Sequence, residues 1–395
     1  MTQTATRPQL KAAAAATFLI FGINGLVFAS WAARIPAVTE ILQITAGQMG
    51  TLLLCVAVGS LIALPTAGHV VGRIGTANTV RAAGLLVAAA GVGIALSLAA
   101  GAVSGTAISL FFFGIGIGLW DVSQNIEGAD VEHKLGRTIM PQFHAAFSGG
   151  AFVGALIGAG LSNIGIGLPA HLLVIAAVVA AAALVTPKYF LEHVPAAPRP
   201  AGEAKEPRAA SAWRDGRTLL IGVVVLGATL TEGAGNDWIA KAAVDGLDAT
   251  QSTGALLFAV FVLAMTAVRF FGGRAIDIYG RVAVLRASMA AAALGLGLFV
   301  LAGNIWLATA GAALWGAGAA LAFPMGMSAA ADDPKHAAAR VSVVSTVGYI
   351  AFLAGPPLLG YLGDLTGIRT ALLAIGVPIL GALMLAGAAK SLRGK

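Results

Sequence analysis

The sequence predicts an all-α membrane protein: twelve spanning helices arranged as two pseudo-symmetric six-helix bundles. Three observations carry that prediction. Of 395 residues, 58% are hydrophobic and only 10% are charged, with a mean hydropathy of +0.89, which leaves too little polar surface to cover a water-soluble fold. Apolar stretches of about 20 residues, the length that crosses ~30 Å of hydrocarbon as a helix, recur twelve times with short connections. Short motifs also repeat at a spacing of 202 to 207 residues.

The first span, near 12 to 33, follows Arg7 and Lys11 and so resembles a cleaved leader, but its length and the eleven spans behind it argue for a retained helix. The second, 47 to 71, holds the single cysteine, Cys55, so no disulfide framework is possible. The third covers 79 to 100. The fourth, 103 to 126, follows "ISLFFFGIG" with Asp121, Gln124 and Asn125. The fifth, 140 to 162, contains "GGAFVGALIGAG", small residues that let helices approach and slide. The sixth covers 168 to 187. The seventh, 217 to 240, carries Glu232, and the eighth, 252 to 273, carries Arg269. The last four run 281 to 302, 304 to 328, 340 to 362 and 368 to 389. Between the sixth and seventh spans, "EHVPAAPRPAGEAKEPRAASAW" gathers prolines and charges and reads as a flexible linker. The expected domains are therefore residues 1–190, a cytoplasmic linker at 191–216, and residues 217–395.

With both termini placed in the cytoplasm, twenty lysines and arginines fall inside and three, Arg34, Lys241 and Arg369, fall outside, as the positive-inside rule requires. A multi-pass protein of the inner membrane, in contact with lipid and expected to act as a monomer, follows. The net charge of +7 is scattered between spans and builds no nucleic-acid surface. No glycine-rich loop ending in Lys-Ser or Lys-Thr is present, so ATP is not the energy source. His133, His144 and Glu132 lack metal-ligand spacing, and no cofactor is expected.

The halves echo each other: "WAAR" (Trp31 to Arg34) matches "WIAK" (Trp238 to Lys241), "GHVVGRIG" (Gly68 to Gly75) matches "GRAIDIYGR" (Gly273 to Arg281), and "FGIGIG" matches "WGAGAA". In transporters built from such repeats the solute site lies near the membrane midplane between them. The segment "GRAIDIYGR" resembles the loop motif of the major facilitator superfamily: Gly, three residues, Asp, two residues, Gly, Arg. Gly273, Asp277, Gly280 and Arg281 match it. The first-half copy keeps Gly68, Arg73 and Gly75 but has Gly72 in place of the aspartate and Thr76 in place of the basic residue. The resemblance implies transport by alternating access, with these loops latching the halves on the cytoplasmic side. Arg269, two turns before Asp277, is expected to pair with it. At branch level "NGLVFASWAARIPAV", "LWDVSQNIEGADVE" and "MPQFHAAFSGG" resemble the YbjJ-like bacterial inner-membrane proteins, with fucose and proton symporters more distant.

Charged residues inside spans cost about 2.5 to 3.5 kcal/mol each and are kept where they have partners or a task. Asp121, Gln124, Asn125 and Gly128 share one helix face, expected either to line a cavity or to form a polar cluster at the helix end. Glu232 and Asn236 share another face, and Asp237 lies nearer the outer surface, where Lys241 at i+4 stands within pairing distance along the helix. Asn24, Phe28 and Trp31 share a face in the first span, and His144 and Ser148 in the fifth. These are candidates for solute contact or for helix-to-helix hydrogen bonding. Arg34 and Lys241 stand at matching outer ends, to attract an anion or to pair with Glu40 and Asp245. The proton-coupling candidates are Asp121, Glu232 and His144, whose imidazole titrates near neutrality. The solute-contact candidates are Asn24, Trp31, Arg34, Gln124, Asn125, Glu232, Asn236 and Asp237.

Two function classes follow. One is a secondary transporter of a small polar solute; the other is an intramembrane enzyme using Asp121 with His144, or Glu232, as acid and base. The duplicated halves and the loop motif favour the transporter. Within that class, drug and proton antiporters of the superfamily carry glycine-proline in the fifth span, and the proline is missing here. Proton-coupled symport is expected, with export by antiport as the alternative.

Overall fold

The apolar segments fold as helices in the computed structural model of this protein, which describes residues 6–191, 212–333 and 336–392; no strand occurs among them. The helices are α1 (Arg7–Ala32), α2 (Ile35–Leu42), α3 (Ala46–Ala99), α4 (Val103–Leu135), α5 (Met140–Asn163) and α6 (Leu168–Val185). They continue as α7 (Gly216–Leu247), α8 (Gln251–Tyr279), α9 (Arg281–Leu301), α10 (Ile305–Ala319), α11 (Ala322–Ala330), α12 (Ala337–Thr366), α13 (Ile368–Ala371) and α14 (Gly376–Leu385).

The boundaries follow local chemistry. Prolines stand in the first turns of α1, α2, α5 and α6, where their missing N–H costs nothing. Asp215, Thr250 and Asn304 accept hydrogen bonds from first-turn amides of α7, α8 and α10. Among the described residues eleven helical stretches are long and apolar enough to span a membrane. Gly75, at φ 79° and ψ 164°, breaks α3 into two, and so accounts for the expected twelve. The gap expected between residues 71 and 79 is therefore a single-residue break. The tenth span is divided between α10 and α11, and the twelfth is completed by short 3-10 turns at Leu372–Ile375 and Ala386–Ala389. Most of the expected linker lies outside the described residues.

The chain divides into two compact units, Met1–Ile44 with Thr51–Pro198, and Thr45–Gly50 with Arg199–Lys395. In the first, α1 and α5 cross where a side chain on Gly25 or Gly150 would collide with facing backbone, and one on Gly154 would meet the Leu26 carbonyl at 2.6 Å. In the second, Asp364 of α12 receives the first turn of α3, accepting from Thr45 Oγ1 at 2.8 Å and from the Gly47 amide at 3.1 Å.

Each unit repeats the internal packing of the other. Gly114 packs on the backbone of Val56 and Gly116 on Ala83 and Val87; Gly316 packs on the backbone of Phe261 and Gly318 on Ser288 and Ala292. Every one of these partners is displaced by 202 or 205 residues. The left-handed backbone positions repeat too, pairing Gln43 with Asp248, Gly75 with Gly280 and Gly165 with Gly367. Large apolar side chains such as Leu96, Ile108, Leu301, Val377 and Met384 remain exposed, as lipid-facing surface requires.

Candidate functional site

In the first unit α4 presents an exposed Asp121. Gln124 Nε2 donates to Asp121 Oδ1 at 3.1 Å, and Asn125 Nδ2 donates to the Asp121 carbonyl at 2.8 Å and to Oδ1 at 3.3 Å. The spacing i, i+3, i+4 on one helix produces this cluster. The helix continues to Leu135, so Asp121 lies well inside it rather than at its end. No lysine or arginine pairs with Asp121 among the described residues; the ionisable group acting on it is His144 of α5. The His144 ring meets Phe21 edge-on at 5.4 Å. Gln124 is fully buried and its Oε1 accepts no hydrogen bond among the described residues, so the cluster retains an unused acceptor.

The other first-unit candidates sit in packing. Asn24 and Trp31 are buried, and Trp31 lines a small apolar cavity with Val27, Val87, Gly91 and Phe113. Arg34 is 3% exposed. Its guanidinium donates to the Gly158 and Ile166 carbonyls, each at 3.3 Å. It thus braces the C-terminal end of α5, where unpaired carbonyls favour a cation.

In the second unit the expected pairing of Arg269 with Asp277 is corrected. Arg269 reaches Glu232 Oε2 at 2.7 Å and the Ala320 carbonyl at 3.1 Å. The break between α10 and α11 exposes that carbonyl, and the guanidinium answers it together with the mid-helix carboxylate. Glu232, a candidate for proton coupling and solute contact, is ion-paired. Lys241 pairs with Asp245 at 2.7 Å, one of the pairings weighed above. Asp237 makes no hydrogen bond or ion pair among the described residues and lines a small cavity between α7 and α12. Asn236 is partly exposed, and its Oδ1 has no donor among the described residues.

The loop motif forms its turn through Gly280, whose φ of 79° favours glycine, as at Gly75. Gly68 and Gly273 face open space, Arg73 is exposed, and Asp277 is exposed without an ion pair among the described residues. Arg281 is held firmly. It donates to both oxygens of Asp332 at 3.0 to 3.2 Å, to Ser328 Oγ at 3.1 Å and to the Ala389 carbonyl. Arg217 reaches the same carboxylate at 3.0 Å and the Lys390 carbonyl at 2.8 Å. Burial alone would raise the Asp332 carboxyl, but hydrogen bonds and charge from Arg281 and Arg217 hold it below its ordinary value. Nearby, Asp215 accepts from Thr218 and pairs with Arg340 at 3.0 Å. The Thr218 hydroxyl and then the two arginines outweigh burial and hold that carboxyl low as well.

The first unit has a neutral counterpart that sequence reasoning missed. Thr76 and Glu127 stand 205 residues before Arg281 and Asp332. Glu127 is buried and accepts from Thr76 Oγ1 at 2.6 Å and from the Leu191 amide at 2.7 Å. A carboxylate in each unit thus ties the glycine turn to the segment at the end of that unit's last span, directly through the Leu191 amide in the first and through the arginines in the second, with a hydroxyl doing in one what a guanidinium does in the other. The constant offset was the available signal; Asp332 and Glu127 were invisible as partners because each lies some 50 positions from its turn residue.

Comparison with known proteins places this architecture. The Major Facilitator Superfamily model matches residues 233–392. An uncharacterised transporter of Sinorhizobium fredii (strain NBRC 101917 / NGR234), y4wD, is 30% identical over 371 residues, 91% of this chain and 96% of the relative. An uncharacterised MFS-type transporter of Yersinia pestis is 28% identical over 356 residues, 90% of each chain. Membrane protein MosC of Rhizobium meliloti is 28% identical over 380 residues, 94% of this chain and 89% of the relative. Among solved structures, the nucleoside transporter NupG superposes with a TM-score of 0.76 at 14% identity, covering 95% of this chain and 98% of that one. A bacterial homologue of the human lysosomal transporter Spinster superposes with a TM-score of 0.74 at 13% identity, covering 98% of each. At those identities the likeness is one of fold. A duplicated helical bundle with the glycine-arginine turn, matched along nearly its whole length by transporters, is not an enzyme: the chain belongs to the major facilitator superfamily and is a multi-pass membrane transporter of a small solute.

Proposed function

We propose that this transporter takes up a small polar solute together with a proton, by alternating access, across the bacterial inner membrane. In this reading the chain acts as a monomer of the YbjJ-like branch with both termini cytoplasmic. The observation that carries the coupling is Asp121, a carboxylate within α4 that has amide donors and a neighbouring imidazole but, among the described residues, no lysine or arginine partner. Withdrawing water from an ionised carboxylate is costly unless a cation compensates, so closing this face and protonating Asp121 are linked events. Gln124 and Asn125 both hold Asp121 Oδ1, which leaves Asp121 Oδ2 and the half-buried Asn125 amide to offer a solute an acceptor and a donor. Hydroxyl-rich solutes suit such a set, because each amide exchanges one polar partner for another. His144 is the proposed relay, because an imidazole is the side chain whose ordinary protonation range lies near neutral pH.

The test begins with a thermal-shift screen of sugars, organic acids, amino acids and cationic dyes to find the solute. Purified wild type and Asp121→Asn are then compared in proteoliposomes. The variant is expected to lose accumulation driven by a pH gradient while keeping solute exchange at equal pH. Accumulation at the wild-type level by Asp121→Asn would overturn the proposed coupling.

A further inference from the structure

A carboxyl group in the first unit is closed in without a cation. Glu127 of α4 is 1% exposed, and both of its oxygens are bound by neutral groups: Oε2 by the Thr76 hydroxyl at 2.6 Å and Oε1 by the Leu191 amide at 2.7 Å. Asp332, at the matching place of the second unit, has two guanidinium groups instead. Among the described residues the charged side chains acting on Glu127 are Asp130 and Lys134 of its own helix, and these are bound to each other at 2.7 Å. On α3, Arg73 is exposed and Arg81 is turned to Asn78. Lys11 of α1 and Lys188, just before Leu191, are exposed as well. What α1, α4 and α5 bring beside the carboxyl is apolar: Leu10, Val131, Ile139 and Leu191 lie in one buried cluster.

An ionised carboxylate so enclosed is costly, because neither water nor a cation offsets its charge. The carboxylic acid fits the same neighbours without that cost. A threonine hydroxyl both donates and accepts, so a protonated Oε2 donates to Thr76 while Oε1 still accepts from Leu191. We propose that Glu127 is a second proton-binding site, separate from Asp121: it holds its proton while Leu191 and the Gly75 turn enclose it, and passes that proton to water when the Leu191 segment lifts away. The two units then fasten their glycine turns differently, the second by ion pairing and the first by a bound proton. A rise in pH on that side of the membrane therefore frees residues 186–191 at the end of the sixth span. That the side is cytoplasmic rests on the orientation proposed above; the site itself stands whether or not the Asp121 reading holds.

The test uses the full-length protein in lipid nanodiscs. Infrared difference spectra between acid and alkaline pH read the carboxylic acid. A nitroxide on Tyr189→Cys, in a Cys55→Ser background, reads the mobility of residues 186–191 by electron paramagnetic resonance; Tyr189 is 56% exposed, so the label stands clear of the buried cluster. In wild type a carboxylic acid band is expected at neutral pH, lost as pH rises, with the label gaining mobility at the same midpoint. Glu127→Gln should remove that band and keep the label immobile at every pH, because an amide donates to Thr76 and accepts from Leu191 without titrating. Asp121→Asn should keep both signals, which separates failure of the proposed coupling from failure of this site. Thr76→Arg, which copies Arg281, should hold Glu127 ionised and abolish the pH dependence. The site is overturned by the lack of a band that Glu127→Gln removes, by mobility independent of pH in wild type, or by mobility that still rises with pH in Glu127→Gln or in folded Thr76→Arg. If Thr76→Arg fails to fold, the comparison of wild type with Glu127→Gln decides alone.

Discussion

Asp332→Asn is the sharpest perturbation of the second unit, because one carboxylate serves two arginines. Its side chain is 7% exposed, against 16% for Arg281 and 22% for Arg217. Removing one member of a buried ion pair costs about 3 to 5 kcal/mol. Both guanidinium groups keep carbonyl partners at Ala388, Ala389 and Lys390, and both are partly open to water. The expected loss therefore lies lower, at about 2 to 3 kcal/mol. At about 2 to 4 °C per kcal/mol for a domain of this size, melting should fall by about 4 to 12 °C. The assay is thermal unfolding of the purified protein, followed by tryptophan fluorescence across pH. The folded carboxyl titrates below its ordinary value, so the unfolded chain takes up the proton first as pH falls. The contribution is complete above about pH 4 and is lost on further acidification through the folded value. Wild type should thus lose more stability below pH 4 than Asp332→Asn does. Equal melting temperatures at pH 7, or parallel acid profiles, would refute the reasoning.

Further expectations follow from the same structure. Gly316→Ala should destabilise by about 1 to 3 kcal/mol, because the added carbon collides with the Phe261 carbonyl, whereas Gly273→Ala meets open space and should melt like wild type; equal melting of the two variants would contradict the packing. Glu232→Gln removes an ion pair whose members are 24% and 34% exposed, so solvent screening limits its stability cost to about 1 kcal/mol. A double-mutant cycle with Arg269→Gln should return a coupling energy of that size, and none if Arg269 is paired elsewhere.

The membrane class, the count of spans and the duplication were all legible in the sequence, since hydrocarbon thickness fixes helix length and a repeated motif keeps its spacing. Asp121, Gln124 and Asn125 were legible as a cluster because i, i+3 and i+4 on one helix are neighbours whatever surrounds them. The partners of Glu232 and Arg269 were not. They stand on different helices, and the nearness of Arg269 to Asp277 in sequence suggested a pairing that the rotation of α8 and the open end of α10 redirect. Trp31, grouped by helical face with polar candidates, is placed in an apolar interior, because a face says which residues travel together and not which neighbour they meet. Thr76 looked like a lost basic residue, yet the fold gives Glu127 a hydroxyl and a backbone amide in its place. The sequence by itself determined where the chain crosses the membrane, because burial in lipid acts on each segment separately. The partner of each buried charge was decided only by tertiary structure, because the carboxylates, guanidinium groups and freed carbonyls involved lie on separate helices and meet only when those helices pack.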